Sequence, residues 1–599
     1  PAEIRLLTIR NLTGESLHYR VVPYWQIMLG ETPVDTCGKI VADHDRKLAA
    51  LFFSNPHNDF RRGWAFAATN LPVEAVETVR SRFLGGACRD LANPFMLQNG
   101  ASDSCQPDDG LRCAAFVGEV EVPPAGEATV NLVFGQAQNR EQAAEIIRKF
   151  QDVSAAQKAF VETKKWWRDY LEKLKVQTGD VTFDRMVNLW LPYQVLVARL
   201  WGRLGPYQRS GAFGFRDQLQ DVLPFLYIKP ELARRQILLH SAQQFHKGDV
   251  LQWWHQSWED KTGIGAHGRA SDQHLWLPYM VYQYVKATGD WGILDERRPY
   301  LEGGPLAKMS DTQVAAQRPS RDTVSLYEHC LKAIDLTLQK TGSHGLPLLG
   351  AGDWNDGLDA AGIRNKGESV WLGFFFHDIL TNFSDLVAKK EGEDRKRDFL
   401  AQAAELRNHL DATWLGDRYV NYYTDDGQVM DRANALVTAW SIISGVAGPE
   451  KGRRAMATAL EALEKEDLVQ LFAPPFTEQD DIYPGRLADY PPGVRENGGQ
   501  YSHGVSWLVD ALLFLSEEAQ GRGETEIAVD YRTKAMALWR KISPLGHLSP
   551  EKLAVYGLPP HQQPADIYFG PGYEGRGGWS WYTGAAGRML FNALALFRP

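Results

Sequence analysis

Apolar and polar positions alternate through most of the first 135 residues. Segments Leu17 to Ile27 and Ala114 to Val122 follow the period-two pattern of strands, and turn signals stand at Asn11-Leu12-Thr13-Gly14 and Pro123-Pro124-Ala125-Gly126. This predicts an all-β domain over 1–138, a sandwich. From Arg140 to Leu174 the period changes, with Ala143, Ile146, Ile147 and Phe150 on one helical face, which predicts a helical linker over 139–178. Amphipathic helices then recur around 183–204, 215–226, 230–246, 272–288, 323–341, 369–390, 395–414, 432–446, 449–464, 501–519 and 526–541. With the linker counted they make a dozen, and no strand alternates with them. Helical hairpins in that number fit an (α/α)6 barrel over 179–548, with its cleft in the loops at one end. The remaining segment, 549–599, is irregular through Pro559-Pro560 and Gly570-Pro571-Gly572, then returns to the barrel with a short helix over 584–597.

Composition narrows the class. The chain has 599 residues, 44% hydrophobic and 23% charged, an ordinary balance for a globular protein of several domains. Lys and Arg total 65 against 74 Asp and Glu, a formal charge of -9, and no basic run offers a phosphate backbone a partner, so nucleic acid is excluded. No apolar stretch approaches the roughly 20 residues that span a bilayer, and the opening PAEIRLLTIR lacks the charged start and apolar core of a signal peptide. Five cysteines, Cys37, Cys88, Cys105, Cys113 and Cys330, form no CxxC pair and read as reduced thiols of a cytoplasmic protein. Because the chain opens on Pro1 and runs straight into a strand, the sandwich reads as truncated and the chain as a piece of a longer polypeptide.

Of the 19 tryptophans, several stand beside Gly, Asp or His in loops, where they could offer stacking surfaces to a ligand. The densest loop is Gly350-Ala351-Gly352-Asp353-Trp354-Asn355-Asp356-Gly357-Leu358-Asp359, three carboxylates and an indole among glycines. A carboxyl held against an indole face is poorly solvated and can stay protonated as a general acid, able to protonate a glycosidic oxygen. The same residues also suit helix capping or a Ca2+ turn, although their spacing is not that of an EF-hand. A second cluster, Phe245 to His255 and Gly263 to His274, sets aromatic platforms beside Asp, Gln, Arg and His, as a pyranose site requires. Two further loops, Pro492 to His503 and Gly575 to Gly584, open helices whose free amides could hold a phosphate, or could simply be turn and capping chemistry.

Together these segments resemble glycoside hydrolase family 94, the inverting disaccharide and oligosaccharide phosphorylases. The resemblance rests on Gly214-Phe215-Arg216-Asp217-Gln218-Leu219-Gln220-Asp221, Gly248-Asp249-Val250, Trp253-Trp254-His255, Leu275-Trp276-Leu277-Pro278-Tyr279, the GDWNDG loop from Gly352, RENGGQYSHG from Arg495 and GRGGWSWYTG from Gly575. Within the family the wording is most similar to β-1,2-oligoglucan phosphorylases and the C-terminal region of cyclic β-1,2-glucan synthases. The resemblance implies an N-terminal β-sandwich, a helical linker, an (α/α)6 barrel and a small C-terminal β-element. It also implies Asp356 as general acid, Trp354 lining the donor subsite with Asp353 behind it, and phosphate at His503, Thr583 and Gly584. Phosphate then attacks the anomeric carbon from the face opposite the acid, releasing an α-sugar 1-phosphate.

Departures from the family pattern are equally specific. Where relatives read GxRTRxSDD, this chain reads Ala266-His267-Gly268-Arg269-Ala270-Ser271-Asp272-Gln273, so His267 replaces an Arg that meets phosphate and Gln273 replaces an Asp that meets donor hydroxyls. His561 and Thr438 also stand where relatives carry other residues. The expected substrate contacts are Trp354, Asp272, Gln273, Arg269 and Glu496, and the expected phosphate contacts are His503, Thr583, Gly584 and His267. The expected partners are a β-gluco-oligosaccharide and phosphate, with a homodimer or a larger polypeptide around the chain. No metal or organic cofactor is implied. Two alternatives remain open: a phosphate-independent β-glucan hydrolase or transglycosylase with Glu496 as base, and a carbohydrate-binding domain of low activity within a larger glucan synthase.

Overall fold

The computed structural model describes residues 2–597 apart from 31, 59–61, 174, 203–210, 257–262 and 304–313. The chain forms two compact units, Pro1–Tyr170 and Leu171–Pro599. In the first, an antiparallel sheet runs in the order Ala2–Arg10, Glu127–Ala137, Trp64–Thr69, Ala50–Ser54, Val41–Asp45. Arg112–Val122 anchors a second sheet, pairing with Leu17–Val21, Tyr24–Ile27 and Val73–Val79. Trp25, Phe53, Ala67 and Phe116 fill the space between the sheets.

The outer face of the first sheet is covered as well. Ala143 and Ile147 of the helix Arg140–Gln151 pack on Phe52, Phe66 and Val133. Residues Ala50 to Phe53 are therefore buried on both faces, which explains why they read as a continuous apolar run rather than an alternation. The segment expected to link the domains is thus two helices, Arg140–Gln151 and Val153–Leu171, and the first belongs to the sandwich layer.

Among the described residues of the second unit, six helices form a closed inner ring: Phe215–Asp221, Trp276–Thr288, Val370–Glu391, Ala435–Ile443, Trp507–Gly521 and Thr583–Leu596. Around them stand an outer helix running from Val181 to Trp201, then Pro230–Ser241, Leu326–Leu338, Glu393–Asp411, Gly448–Leu463 and Thr525–Ile542. Sequence patterning separates the two rings. Val370 to Leu380 are buried without a break, as an element enclosed on every side must be. By contrast Glu393–Asp411 buries only Phe399, Ala403, Leu406 and Leu410, a single stripe.

The twelfth barrel helix is Thr583–Leu596, not the 139–178 segment, because only the C-terminal helix can close the ring between its first and fifth members. The C-terminal β-element reduces to Asp566–Ile567 paired with Gln500–Tyr501. A helix at Pro550–Tyr556, capped by Ser549 with proline at its first position, lies in the segment expected to be irregular. The helix expected over 230–246 ends at Ser241, and Leu251–His255 and Ile264–His267 become strands. Similarly, the helix expected from 323 starts at Leu326, since Pro319–Ser325 pairs with Arg297–Leu301.

Candidate active site

A cavity of about 350 Å³ opens at the N-terminal ends of the inner helices. Its walls come from the helix Phe215–Asp221 (Arg216, Gln220) and from the segments leading into later inner helices (Trp354 and Asp356, Glu496 and His503, Trp579 and Tyr582). Trp354 sits over a buried aromatic floor, 5.1 Å from Trp507, which in turn lies 5.5 Å from Trp440. Converging helix N-termini carry partial positive charge and unpaired N–H groups, so this end of the barrel suits an anion.

The loop 350–359 separates its three carboxylates. Gly352 adopts φ +97°, and a Cβ there would stand 3.0 Å from the Asn355 carbonyl, so only glycine permits the turn. Asp353 is buried, accepting hydrogen bonds from Ser369 Oγ at 2.7 Å and from the Asn355 N–H at 2.9 Å. Burial pushes its carboxyl up to about 6. Ser369 also caps the inner helix Val370–Glu391, so Asp353 ties the loop to the barrel wall. Asp356, partly exposed, pairs with Arg216 at 2.7 Å. Asp359 lies 3.4 Å from Arg486. Each acid is thus paired with a different partner.

Arg216 organises the centre. It bonds Asp272 at 2.8 Å and the Asp353 carbonyl at 3.0 Å as well as Asp356. Burial alone would lower its affinity for a proton, but Asp272 and Asp356 outweigh burial and hold the guanidinium charged. Asp272 is fully buried and also accepts from the Trp276 indole N–H at 3.0 Å. Burial pushes its carboxyl upward against the pull of Arg216.

On another wall His503 is buried against Trp354, ring centroids 5.1 Å apart, and neither ring nitrogen has a hydrogen-bond partner. Burial, reinforced by Arg588, Arg216 and Arg199, holds it well below its ordinary value, so the imidazole is neutral with one donor to offer. A Cβ on Gly584 would lie 2.5 Å from His503 Nδ1, so glycine is required for the two to sit together. Thr583 starts the closing helix, and its hydroxyl accepts from Arg199 Nε at 3.1 Å. Arg199 also contacts Asp221 at 3.2 Å, whose carboxyl burial pushes up to about 6.

Glu496 lines the same cavity, paired with Arg495 at 3.1 Å, and its pKa is raised by burial. Arg495 itself lies between the rings of Trp579 and Tyr490, 3.7 and 4.2 Å from their centroids.

The structure therefore brings Asp356, Trp354, Glu496 and His503 to one cavity, with Gly584 behind His503 and Asp272 behind Arg216. It does not bring the rest of the second cluster there. His267 pairs with Asp249 and stacks on Phe245 at 4.3 Å, while Arg269 and Gln273 line a different cavity. Trp254, expected as a platform, is core, stacked 5.4 Å from Phe213. Sequence reasoning passed over Arg216 and Arg199 as site residues. The available signal was a run of polar residues, Arg216, Gln218, Gln220 and Asp221, covering successive faces of a helix that the barrel encloses.

Residues 166–596 match the Glycosyl hydrolase 94 superfamily catalytic domain, and residues 1–153 match the glycosyl hydrolase 94 supersandwich domain. The chain belongs to glycoside hydrolase family 94. Among its relatives in this family, the cyclic beta-(1,2)-glucan synthase NdvB of Rhizobium meliloti is 35% identical over 98% of the chain, which spans 20% of that protein. Solabiose phosphorylase of Paenibacillus borealis is 27% identical over 89% of the chain and 64% of its own length. A bacterial glucoamylase complexed with acarbose shares the fold of this family member, with a TM-score of 0.54 at 10% identity over 91% of this chain and 73% of that one. The chain thus covers less than two thirds of both curated relatives.

Proposed function

We propose that the barrel-end cavity performs inverting phosphorolysis of β-linked glucosides, with β-1,2-gluco-oligosaccharides as the substrate class. The observation that carries this reading is the combination, in one cavity, of a partly exposed Asp356 and a buried His503 with two unanswered ring nitrogens. In the proposed reaction Asp356 gives its proton to the glycosidic oxygen as the C1–O bond breaks. A phosphate oxygen forms the new bond to C1 from the opposite face, and α-sugar 1-phosphate leaves with the shortened oligosaccharide. Proton exchange with phosphate or solvent returns Asp356 to its acid form.

The phosphate would be held by the neutral His503 N–H and by the start of the helix at Thr583 and Gly584, while Arg216 stays with Asp356 on the acid's side. His267 has no part in that arrangement, since its ring is committed to Asp249. Trp354 and Trp579 would offer faces to sugar rings, and Glu496 would accept from sugar hydroxyls.

Incubation with β-1,2-gluco-oligosaccharides, with and without phosphate, tests the reading. Sugar 1-phosphate formed only with phosphate supports it. Sugar released equally without phosphate would replace it with hydrolysis, for which Glu496 stands in the same cavity as Asp356. Binding with no release in either condition would favour a sugar-binding role, consistent with a chain that matches one fifth of a glucan synthase.

A further inference from the structure

A buried carboxylate outside the Asp356 cavity ties two of its wall segments together. Asp566, in the strand Asp566–Ile567 that pairs with Gln500–Tyr501, is fully buried. Its Oδ2 accepts the Arg495 N–H at 3.0 Å and its Oδ1 accepts the Trp579 N–H at 3.2 Å, while its carbonyl accepts the Gly578 N–H at 2.8 Å. Gly578 leaves room for the carboxylate, since a Cβ there would collide with Oδ1.

The charge of this group is demanding. Burial pushes its carboxyl up to about 6 and Glu496 adds to the rise, while the two N–H groups and the Arg495 cation oppose it. A neutral group of the same shape would not serve in its place. An amide has one acceptor oxygen and would turn its NH2 against the other N–H, whereas a carboxylate answers both.

What the two N–H groups hold is a grip on a cation. Arg495 has φ +53°, a left-handed conformation that side-chain-bearing residues seldom take. Its guanidinium lies between Trp579 and Tyr490, 3.7 and 4.2 Å from their ring centroids. By bonding the N–H of Arg495 and the N–H of Trp579, Asp566 sets the spacing between the cation and the ring it stacks on. The same guanidinium donates to both oxygens of Glu496, from Nε to Oε2 at 3.1 Å and from Nη2 to Oε1 at 3.4 Å. Glu496 lines the cavity, so Arg495 fixes how its carboxylate is presented there.

We propose that Asp566 is a positioning residue for sugar binding: by anchoring Arg495 against Trp579 it aims the Glu496 carboxylate at the hydroxyls of a sugar in the Asp356 cavity. This rests on reading that cavity as a glucoside site, but not on phosphate as the nucleophile.

Calorimetric titration of the full chain with a β-1,2-gluco-oligosaccharide at pH 8, without phosphate, tests the proposal. Asp566→Asn is expected to weaken binding by about tenfold. Arg495→Lys keeps the charge and the N–H to Asp566 but loses the planar grip and the paired bonds, and should weaken binding by about the same factor. In a Glu496→Gln background either substitution should change affinity by less than about twofold, because the carboxylate they aim is already gone. A merely structural role would give the same loss in both backgrounds. If Asp566→Asn fails to fold, Arg495→Lys carries the same comparison. Normal affinity in either variant overturns the proposal, as does an additive loss in the Glu496→Gln background or a wild type that binds no oligosaccharide. Because the titration contains no phosphate, a wild type that binds the sugar but forms no sugar 1-phosphate when phosphate is added refutes phosphorolysis alone.

Discussion

The interior of the sandwich and the mouth of the barrel are built on opposite terms. Between and outside the sheets lie Phe52, Phe53, Phe66 and Phe116, and among the described residues of that unit Glu77 is the one charged side chain that is buried. At the barrel mouth Arg199, Arg216, Asp221, Asp272 and Asp353 are all buried within a few residues of one another's contacts. Apolar burial stabilises, whereas each buried ion costs several kcal/mol before its partners offset it. The difference teaches where this chain gives up stability. It does so most densely at the barrel mouth, where five such charges meet, whereas the described residues of the sandwich bury Glu77 alone.

The comparison breaks most directly at the acid. Asp356→Asn should lower phosphorolysis by about a thousandfold, within the range expected for a lost general acid, while the unfolding midpoint stays near that of the wild type. Activity close to normal on a natural glycoside would remove Asp356 from its proposed role. Phe116→Ala tests the other region: it should destabilise the sandwich by about 3–5 kcal/mol, read from urea unfolding, because a fully buried ring leaves a cavity the sheets cannot collapse around.

A third prediction concerns the cost of charge inside the barrel. Asp378 on the inner helix Val370–Glu391 accepts from Asn382 at 2.8 Å, and burial raises it from an ordinary 3.8 to about 7, partly opposed by Lys286. A carboxyl raised in the folded state holds its proton more tightly there than in the unfolded chain. Its ionisation therefore lowers stability progressively as pH rises from about 4 to about 7. Asp378→Asn should raise stability at pH 8 by up to a few kcal/mol and change it little at pH 4. Denaturation midpoints at the two pH values check this, and equal effects at both would count against a charged Asp378.

The smallest expected effect is the most local. Gly584→Ala should raise KM for phosphate by about tenfold with kcat less affected, since the added methyl displaces His503 from the proposed anion position. An unchanged KM for phosphate would separate His503 from phosphate binding.

Much of this was legible along the chain. Period-two alternation marked the strands, and eleven helical stretches marked most of the barrel. The GDWNDG loop announced itself because its glycines and carboxylates serve no core. Other features depend on distant partners. The closing helix Thr583–Leu596 counts as a barrel member only because it meets Phe215–Asp221 and Trp507–Gly521. Likewise Trp254 is core because a strand pairs it beside Phe213, and Leu251–His255 is a strand because Ile264–His267 lies next to it. Local propensity cannot see such pairings.

The division is sharpest at Asp272 and Gln273. Adjacent residues of one motif read as a single donor site, yet the fold turns Asp272 to Arg216 in one cavity and Gln273 to the wall of another. Residue types and their order were enough to determine the two-part architecture, which follows from local pattern and composition, and its motifs were enough to carry the family resemblance and single out the loop of Asp356. Which charges share a cavity, which histidine keeps its nitrogens free and which is consumed by a carboxylate were decided by the tertiary structure alone. Burial and partner geometry set those outcomes, and both arise from contacts between residues far apart in the chain.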